Sequence, residues 1–350
     1  LFLEELGRAA EGEIDPLFEE LYRWYAAHPE AGIPAETYRK AAFLRCADGV
    51  IGRSAASALY GDTLKNSATR LEKYAACAFA HFMEFGLQIR ERDQYELKAA
   101  DMGTVMHEAL EKFSKKLQEN DETWKTVTDD TRDRLIEECV EETMADYGNT
   151  IFQSSSRNQY RIIRVKRILK RTVWALQQQI RQGEFEPGEF EISFSMEDSL
   201  SAINIELSEH EKMRLRGRID RVDLCETDDK VYVKIIDYKT GNTSLDLVAL
   251  YYGLQLQLAV YLDAAVELEQ KKHPGKLVEP AGVFYYHIDD PILDQEEDET
   301  DEAWGRRMLK ALRMDGLVNA DRKVVELLDR VLEDGTTSDV IPVGKKKDGS

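Results

Sequence analysis

Two short strings carry residues that could do chemistry together. They are Gly217-Arg218-Ile219-Asp220-Arg221-Val222-Asp223 and Ile235-Ile236-Asp237-Tyr238-Lys239-Thr240-Gly241. Between them lies Glu226-Thr227-Asp228-Asp229-Lys230, a turn-prone segment. A hairpin folded at Asp228-Asp229 sets Asp220 directly opposite Asp237, with Cβ atoms roughly 4.5–5.5 Å apart. Opposed like charges destabilise a sheet unless something offsets them. A hard divalent cation such as Mg²⁺, which prefers carboxylate and water oxygens, is the natural offset. Asp237 and Lys239 are two residues apart and share one face of their strand, whereas Asp223 points away from Asp220 and is assigned to the surface or the hairpin. An ammonium beside a bound cation orients or helps deprotonate an attacking water and steadies charge on phosphorus. Gly241 is expected to let the chain turn sharply after the strand. An Asp-x-Lys triplet alone is common; the paired Gly-x-x-Asp strand, the parity and the helix that follows set this one apart.

That helix is expected over Leu245–Gln270, where Gln257 and Tyr261, four apart, stack on one face. They offer an amide and a phenol to a phosphate or to Lys239. The competing reading is a polar pair satisfied within the core. Upstream, apolar spacing predicts a helix around Leu17, Phe18, Leu21, Tyr22 and Tyr25, a second over Ala35–Ala47, and one capped by Ser67. Longer helices are expected over Asp101–Leu117, Glu122–Gly148 and Ser154–Gln182. Alternation then predicts strands at Phe190–Phe194, Ile203–Leu207, Arg214–Cys225 and Lys230–Tyr238, with a last strand at Gly282–Ile288. The order implies an α/β or α+β core around an antiparallel meander.

The chain has 350 residues and a formal charge of −20, which argues against a general polyanion binder. Charge is nevertheless local. Asp289–Glu302 holds nine acidic residues in fourteen and reads as a solvated loop. Arg157, Arg161, Arg164, Arg167 and Arg171 recur at helical spacing with Lys166 and Lys170 alongside, a stripe that could track a DNA strand or simply pair with nearby acids. The cysteines Cys46, Cys77, Cys139 and Cys225 lie far apart without a CxxC pair, as expected of reduced cytoplasmic thiols. No apolar run approaches the roughly 20 residues of a membrane span. No Gly-x-x-x-x-Gly-Lys-[Ser/Thr] nucleotide loop occurs. The first residue is Leu1 and the last six are Lys345-Lys346-Lys347-Asp348-Gly349-Ser350, which together read as a piece of a longer protein.

Three further segments complete a pattern: Ser67-Ala68-Thr69-Arg70-Leu71-Glu72-Lys73-Tyr74-Ala75-Ala76-Cys77-Ala78-Phe79-Ala80-His81-Phe82, then Gly103-Thr104-Val105-Met106-His107-Glu108-Ala109-Leu110-Glu111, then Gln257–Tyr261. With Asp220 and Asp237–Lys239 they resemble the RecB-like branch of the PD-(D/E)XK nucleases, specifically the C-terminal nuclease domain of AddB proteins. The resemblance runs from about Ser67 to the end of the chain. It implies a restriction-endonuclease-like α/β core, with a central mixed sheet flanked by helices, over residues 66–350. Residues 1–65 are then the helical tail of an upstream helicase-like domain. It further implies a Mg²⁺-dependent (Mn²⁺ possible) exonuclease acting on single-stranded DNA ends, in double-strand break processing beside an AddA-like subunit. His107, Asp220 and Asp237 become the metal ligands, and Asp220, Asp237, Lys239, Gln257 and Tyr261 the catalytic set. AddB proteins also hold a [4Fe–4S] cluster. Cys77 matches its first ligand, and the three others have no match here, so the cluster is expected only in the full-length protein. Two readings from other classes compete: a catalytically silent nuclease-like scaffold, and a sugar- or phosphate-processing metalloenzyme on an unrelated fold. The intact His107, Asp220, Asp237 and Lys239 set disfavours the first, and the basic stripe with the order of motifs disfavours the second.

Overall fold

The computed structural model describes residues 15–31, 51–61, 63–90, 98–146, 155–194, 203–208, 211–294 and 299–347, with a few isolated positions besides. Two compact units emerge, Leu1–Ala58 and Leu59–Ser350. In the first, helix α1 (Pro16–Ala27) starts where Asp15 accepts the Leu17 N–H and Pro16 occupies the first turn, which needs no N–H. The helix expected over Ala35–Ala47 lies largely outside the described residues. Helix α2 (Arg53–Tyr60) leads into the second unit.

There β1 (Thr63–Asn66) precedes α3 (Ala68–Ala76), whose Ser67 hydroxyl accepts the Arg70 N–H, and a short α4 (Ala78–His81). Three long helices follow: α5 (Ala99–Glu119), α6 (Asp129–Asp146) and α7 (Ser156–Gln182). Helix α6 begins later than the sequence suggests. Thr123 and Thr126 bond each other's backbone N–H through their hydroxyls, and such local bonds compete with the helical ladder.

The strands are β2 (Glu186–Phe194), β3 (Asn204–Glu206), β4 (Lys212–Leu215), β5 (Gly217–Glu226) and β6 (Lys230–Lys239). The run expected as one strand over Arg214–Cys225 is two strands in different sheets. The break falls at Arg216, whose N–H turns to the Asn66 carbonyl. The single helix expected over Leu245–Gln270 is likewise two, α8 (Leu247–Tyr251) and α9 (Gln257–Lys272), separated at Gly253 with φ +75°. The chain ends in β7 (Leu277–His287), α10 (Asp301–Ala311), β8 (Asp315–Val318) and α11 (Arg322–Leu328).

A small sheet has the order β1-β4-β3, and the main sheet β2-β5-β6-β7-β8. The meander β2-β5-β6 is antiparallel, β7 joins β6 in parallel after the α8–α9 crossover, and β8 returns antiparallel, so the sheet is mixed. Alternate residues feed two separate cores. Cys225, Tyr232, Ile236 and Tyr238 pack with α5, α6 and α7, while Val222, Val233, Ile235 and Val283 pack with α9. The result is a helix–sheet–helix sandwich. Among the described residues, no helix is long and apolar enough to cross a membrane.

Candidate metal centre and active site

The hairpin register is the one its turn dictates. Arg221 faces Ile236 and Glu226 faces Val231, and the turn closes where Thr227 N–H reaches the Lys230 carbonyl at 2.8 Å. The backbone ladder stops one residue short of Asp220 and Asp237. There the Asp220 carboxylate takes over, accepting the Tyr238 N–H on Oδ2 at 2.8 Å. This bond holds Asp220 beside Asp237, whose side chain is only 2 % exposed. Burial, then the neighbouring Asp220 charge, pushes the Asp237 carboxyl up to about 6 although Lys239 pulls the other way.

Lys239 shares the face of Asp237, and its Nζ lies 2.6 Å from Asp237 Oδ2. Gln257 joins the two. Its Nε2 donates to Asp237 Oδ1 at 2.7 Å, and its Oε1 accepts from Lys239 Nζ at 2.8 Å. The same Nε2 reaches the Tyr261 hydroxyl at 3.3 Å, so the two residues one helical turn apart act as a pair. Tyr261 packs edge-on against Phe194, and both rings press on Gly217: a Cβ there would come within 2.4 Å of Phe194 and 2.9 Å of Tyr261. The glycine of Gly-x-x-Asp therefore makes room for the rings that seat α9 over the strand.

Glu72 fixes where α9 starts. Its Oε1 accepts the backbone N–H groups of Leu256 (2.6 Å) and Gln257 (3.0 Å), satisfying donors that a helix N-terminus leaves open. No role for Glu72 was legible in the sequence, because its partners lie 184 and 185 residues away. Glu72→Ala is expected to destabilise the protein by about 1 kcal/mol, as loss of a helix cap does. It should also slow any reaction that needs Gln257 in place; thermal melts and single-turnover rates check both.

His107 arrives from α5, its Nδ1 3.3 Å from Asp220 Oδ2 and its ring edge-on to Tyr238. Burial alone would lower the imidazole pKa. Contact with Asp220 and the fields of Asp220, Glu191 and Asp237 outweigh it, so the net shift is upward. Glu191 is the residue that sequence reasoning passed over. Strand β2 pairs Phe190 with Arg221 and Ile192 with Ile219, which brings Glu191 against Asp220. One ligand atom from each of His107, Glu191 and Asp220 fits within 4.8 Å of the others. Burial, then Asp220, pushes the Glu191 carboxyl up to about 7.

Asp223 is not a surface residue. It does point away from Asp220, but that side of the sheet lies under α5–α7, and its side chain is fully buried. Arg221 grips it with Nε at 2.5 Å and Nη2 at 2.9 Å, and Lys234 adds Nζ at 2.7 Å. The Arg221 guanidinium lies over the rings of Trp124 and Phe190. Gly241 also departs from expectation: its φ is not in the left-handed region and a Cβ would meet open space, so the turn does not require glycine.

The arginine stripe divides. Arg167 and Arg171 both engage Asp290, Lys166 pairs with Glu141, and Lys170 with Glu137. Arg157 and Arg164 are exposed, and Arg161 is half-buried. The acidic run is correspondingly less solvated than expected, since Asp290 is half-buried against α7, Glu299 is held by Arg307, and α10 starts at Asp301. Cys77 is exposed between α3 and α4, where its Sγ accepts the Ala80 N–H. Cys139 and Cys225 are buried free thiols, the former pushed up to about 11 by burial. Cys46 lies outside the described residues.

The donors suit a hard divalent cation. Two carboxylates and one imidazole converge with Asp237 beside them, and Asp237 Oδ2 and Glu191 Oε2 are buried without an aligned hydrogen bond, although Lys239 and Arg218 lie within ion-pair distance. A carboxylate pair with an adjacent Asp-x-Lys, a glutamine clamp and a helical histidine on a mixed sheet defines a class of metal-dependent hydrolases.

Comparison with known proteins agrees. The family model described as PD-(D/E)XK nuclease superfamily matches residues 65–338, and the chain belongs to that superfamily. It is also a homologue of AddB proteins, the second subunits of ATP-dependent helicase/deoxyribonucleases. It is 45 % identical over 357 residues to the one from Lachnoclostridium phytofermentans, a match that covers 100 % of the chain and 30 % of that relative. Identity is 39 % with the Alkaliphilus metalliredigens protein (94 % of the chain, 28 % of the relative) and 37 % with the Acetivibrio thermocellus protein (99 % and 30 %). The chain thus spans about 30 % of the length of these curated relatives.

Proposed function

We infer that this chain is a nuclease unit that hydrolyses DNA phosphodiester bonds with the help of a divalent cation. The observation that carries the reading is the clamp of Gln257 on Asp237 and Lys239 beside the His107–Asp220 pair. His107, Asp220 and Asp237 would hold Mg²⁺ or Mn²⁺, which when bound supplies an acidified water and a Lewis-acid contact to a phosphate oxygen. Lys239 is placed to orient that water and to offset charge developing on the phosphate. Gln257 keeps the Lys239 ammonium aimed, and Tyr261 keeps Gln257 aimed.

The relatives' name links a helicase to a deoxyribonuclease. We therefore place this unit in an AddB-like subunit, acting as an exonuclease on single strands during double-strand break processing beside an AddA-like partner. The chain has no Gly-x-x-x-x-Gly-Lys-[Ser/Thr] string, and we assign any ATP-driven step to the parent protein or complex. Cys77 is the position for a [4Fe–4S] ligand. With Cys139 and Cys225 buried, a cluster there would draw its other ligands from outside the described residues.

The arginine stripe would lead the strand along α7, with exposed Arg157 and Arg164 as its phosphate contacts. Replacing both by glutamate is expected to weaken single-strand binding and flatten its salt dependence by about two counterions. The Arg167→Glu change should disturb the Asp290 pair rather than binding. Fluorescence anisotropy across a salt series measures both. The function itself is tested by incubating the chain with end-labelled single-stranded DNA, duplex DNA or RNA in Mg²⁺ or in EDTA. The reading expects Mg²⁺-dependent loss of single-stranded DNA. Intact DNA under all conditions would oppose it.

A further inference from the structure

Helix α7 carries two kinds of arginine. Arg167 and Arg171 are bound to Asp290, and the interleaved Lys166 and Lys170 to Glu141 and Glu137. Nearer the N-terminus the pattern changes. Among the described residues, Arg157 and Arg164 meet no carboxylate, although the whole chain has a net charge of −20. Between them stands Tyr160, 64 % exposed, with Ile163 beside it at 65 %. Arg157, Tyr160 and Arg164 follow one another at three and four residues and so share one helical face. A single apolar side chain on a surface needs no explanation. A bare aromatic ring bracketed by two such arginines on an acidic protein does.

Both ends of α7 fix where this face lies along the sheet. Glu186, four residues past the end of the helix, pairs with Leu224 near the β5–β6 hairpin turn. Arg171, by contrast, reaches Asp290 at 3.1 Å and the Pro291 carbonyl at 3.3 Å. Asp290 comes three residues after His287, the register partner of Lys239. Helix α7 therefore runs from the Lys239 end of the sheet toward the hairpin end, and its turns before Arg167 continue outward past Asp237 and Lys239. They do so in the same helical layer as α5, which brings His107 to the site. At 1.5 Å of rise per residue, Arg157 and Arg164 are about 10 Å apart along the axis, with the Tyr160 ring between them.

We propose that Tyr160 is a stacking platform for a base of single-stranded DNA, with Arg157 and Arg164 holding phosphates on either side, so that this face delivers an unpaired strand to the site in preference to a duplex. The arginines alone give no such preference, since duplex and single strand both carry phosphate. An aromatic ring does, because it needs the open face of a base, and in a duplex those faces are covered by neighbouring bases. Every base has such a face, so the platform selects strandedness without selecting sequence. Tyr160 is thus a specificity-determining residue remote from the chemistry. The proposal rests on the nuclease reading above for its substrate, but it is read out by binding alone.

Fluorescence anisotropy in EDTA, where no strand is cut, compares wild type, Tyr160→Ala and Tyr160→Phe. Three labelled probes of equal length are used: a single strand, the same strand with abasic sites in place of its bases, and a duplex. Circular dichroism confirms that each variant is folded. Tyr160→Ala is expected to bind the single strand about tenfold more weakly, and to bind the abasic strand and the duplex as wild type does. Tyr160→Phe should keep wild-type affinity for all three, since the ring stacks without its hydroxyl. Unchanged single-strand binding by Tyr160→Ala, or an equal loss on the abasic strand, overturns the proposal. Mg²⁺-dependent cleavage by wild type is followed separately. Cleavage by wild type while Tyr160→Ala binds normally sinks the stacking assignment alone. A wild type that neither binds nor cleaves single-stranded DNA removes the nuclease reading and this proposal with it.

Discussion

Lys239→Ala is expected to lower the DNA cleavage rate by about 10²–10⁴-fold while leaving Mn²⁺ affinity undiminished. The split follows from where the ammonium sits. It is 2.6 Å from Asp237 Oδ2 and 2.8 Å from Gln257 Oε1, on the carboxylate that would share the site with the cation. As a positive charge it competes with a bound cation instead of holding it, so its removal cannot weaken metal binding through charge. On the proposed reading its contribution would belong to the transition state, where it would meet charge that the ground state lacks. Single-turnover cleavage alongside a Mn²⁺ titration measures the two quantities independently. Loss of both to a similar degree would show that Lys239 is structural.

The second large effect is on stability. Asp223→Ala should destabilise the fold by about 3–5 kcal/mol, because it leaves Arg221 and Lys234 buried beside each other without their shared counter-charge. Burial pushes the Asp223 carboxyl up, but Arg221 and Lys234 overcome this and hold it below the ordinary carboxylate range. Its folded pKa is therefore lower than its unfolded one. The contribution is complete above about pH 4 and is lost only as the pH falls through the depressed value. Urea melts at neutral pH check the magnitude. Asp223→Asn should be the milder change, since it retains acceptor and shape. Burial pulls the Lys234 ammonium below its ordinary range, while Asp223 pulls the other way.

The centre of the site was legible because local rules determine it. A two-residue turn at Asp228-Asp229 fixes the β5–β6 register, and strand parity then separates Asp220, Asp237 and Lys239 from Asp223. Parity could not say what covers the other face. Asp223 reads as solvated until α5–α7 are laid over it. Glu191 was hidden for a related reason. No tight turn joins β2 to β5, a register shift interrupts their ladder between Pro187 and Glu189, and the left-handed backbone at Glu191 breaks the alternation that sequence reasoning relies on. Glu72 was beyond reach because its work is done on a helix 184 residues downstream. His107 and Cys77 drew their meaning from family resemblance. Taken alone, a lone helical histidine reads as a satisfied core or surface residue, and the geometry now shows this one against Asp220. The arginine stripe was visible as a periodicity, but its pairing with Asp290 depended on a loop that read as solvated.

The most direct test of the central claim compares wild type with Asp237→Asn on end-labelled single-stranded DNA in millimolar Mg²⁺. The exchange keeps the side chain's shape and its Gln257 contact while removing the charge between Asp220 and Lys239. Wild type should degrade the strand and lose this activity in EDTA, and the folded variant should leave the strand intact. Equal degradation by both proteins would contradict the assignment of this site as the nuclease centre.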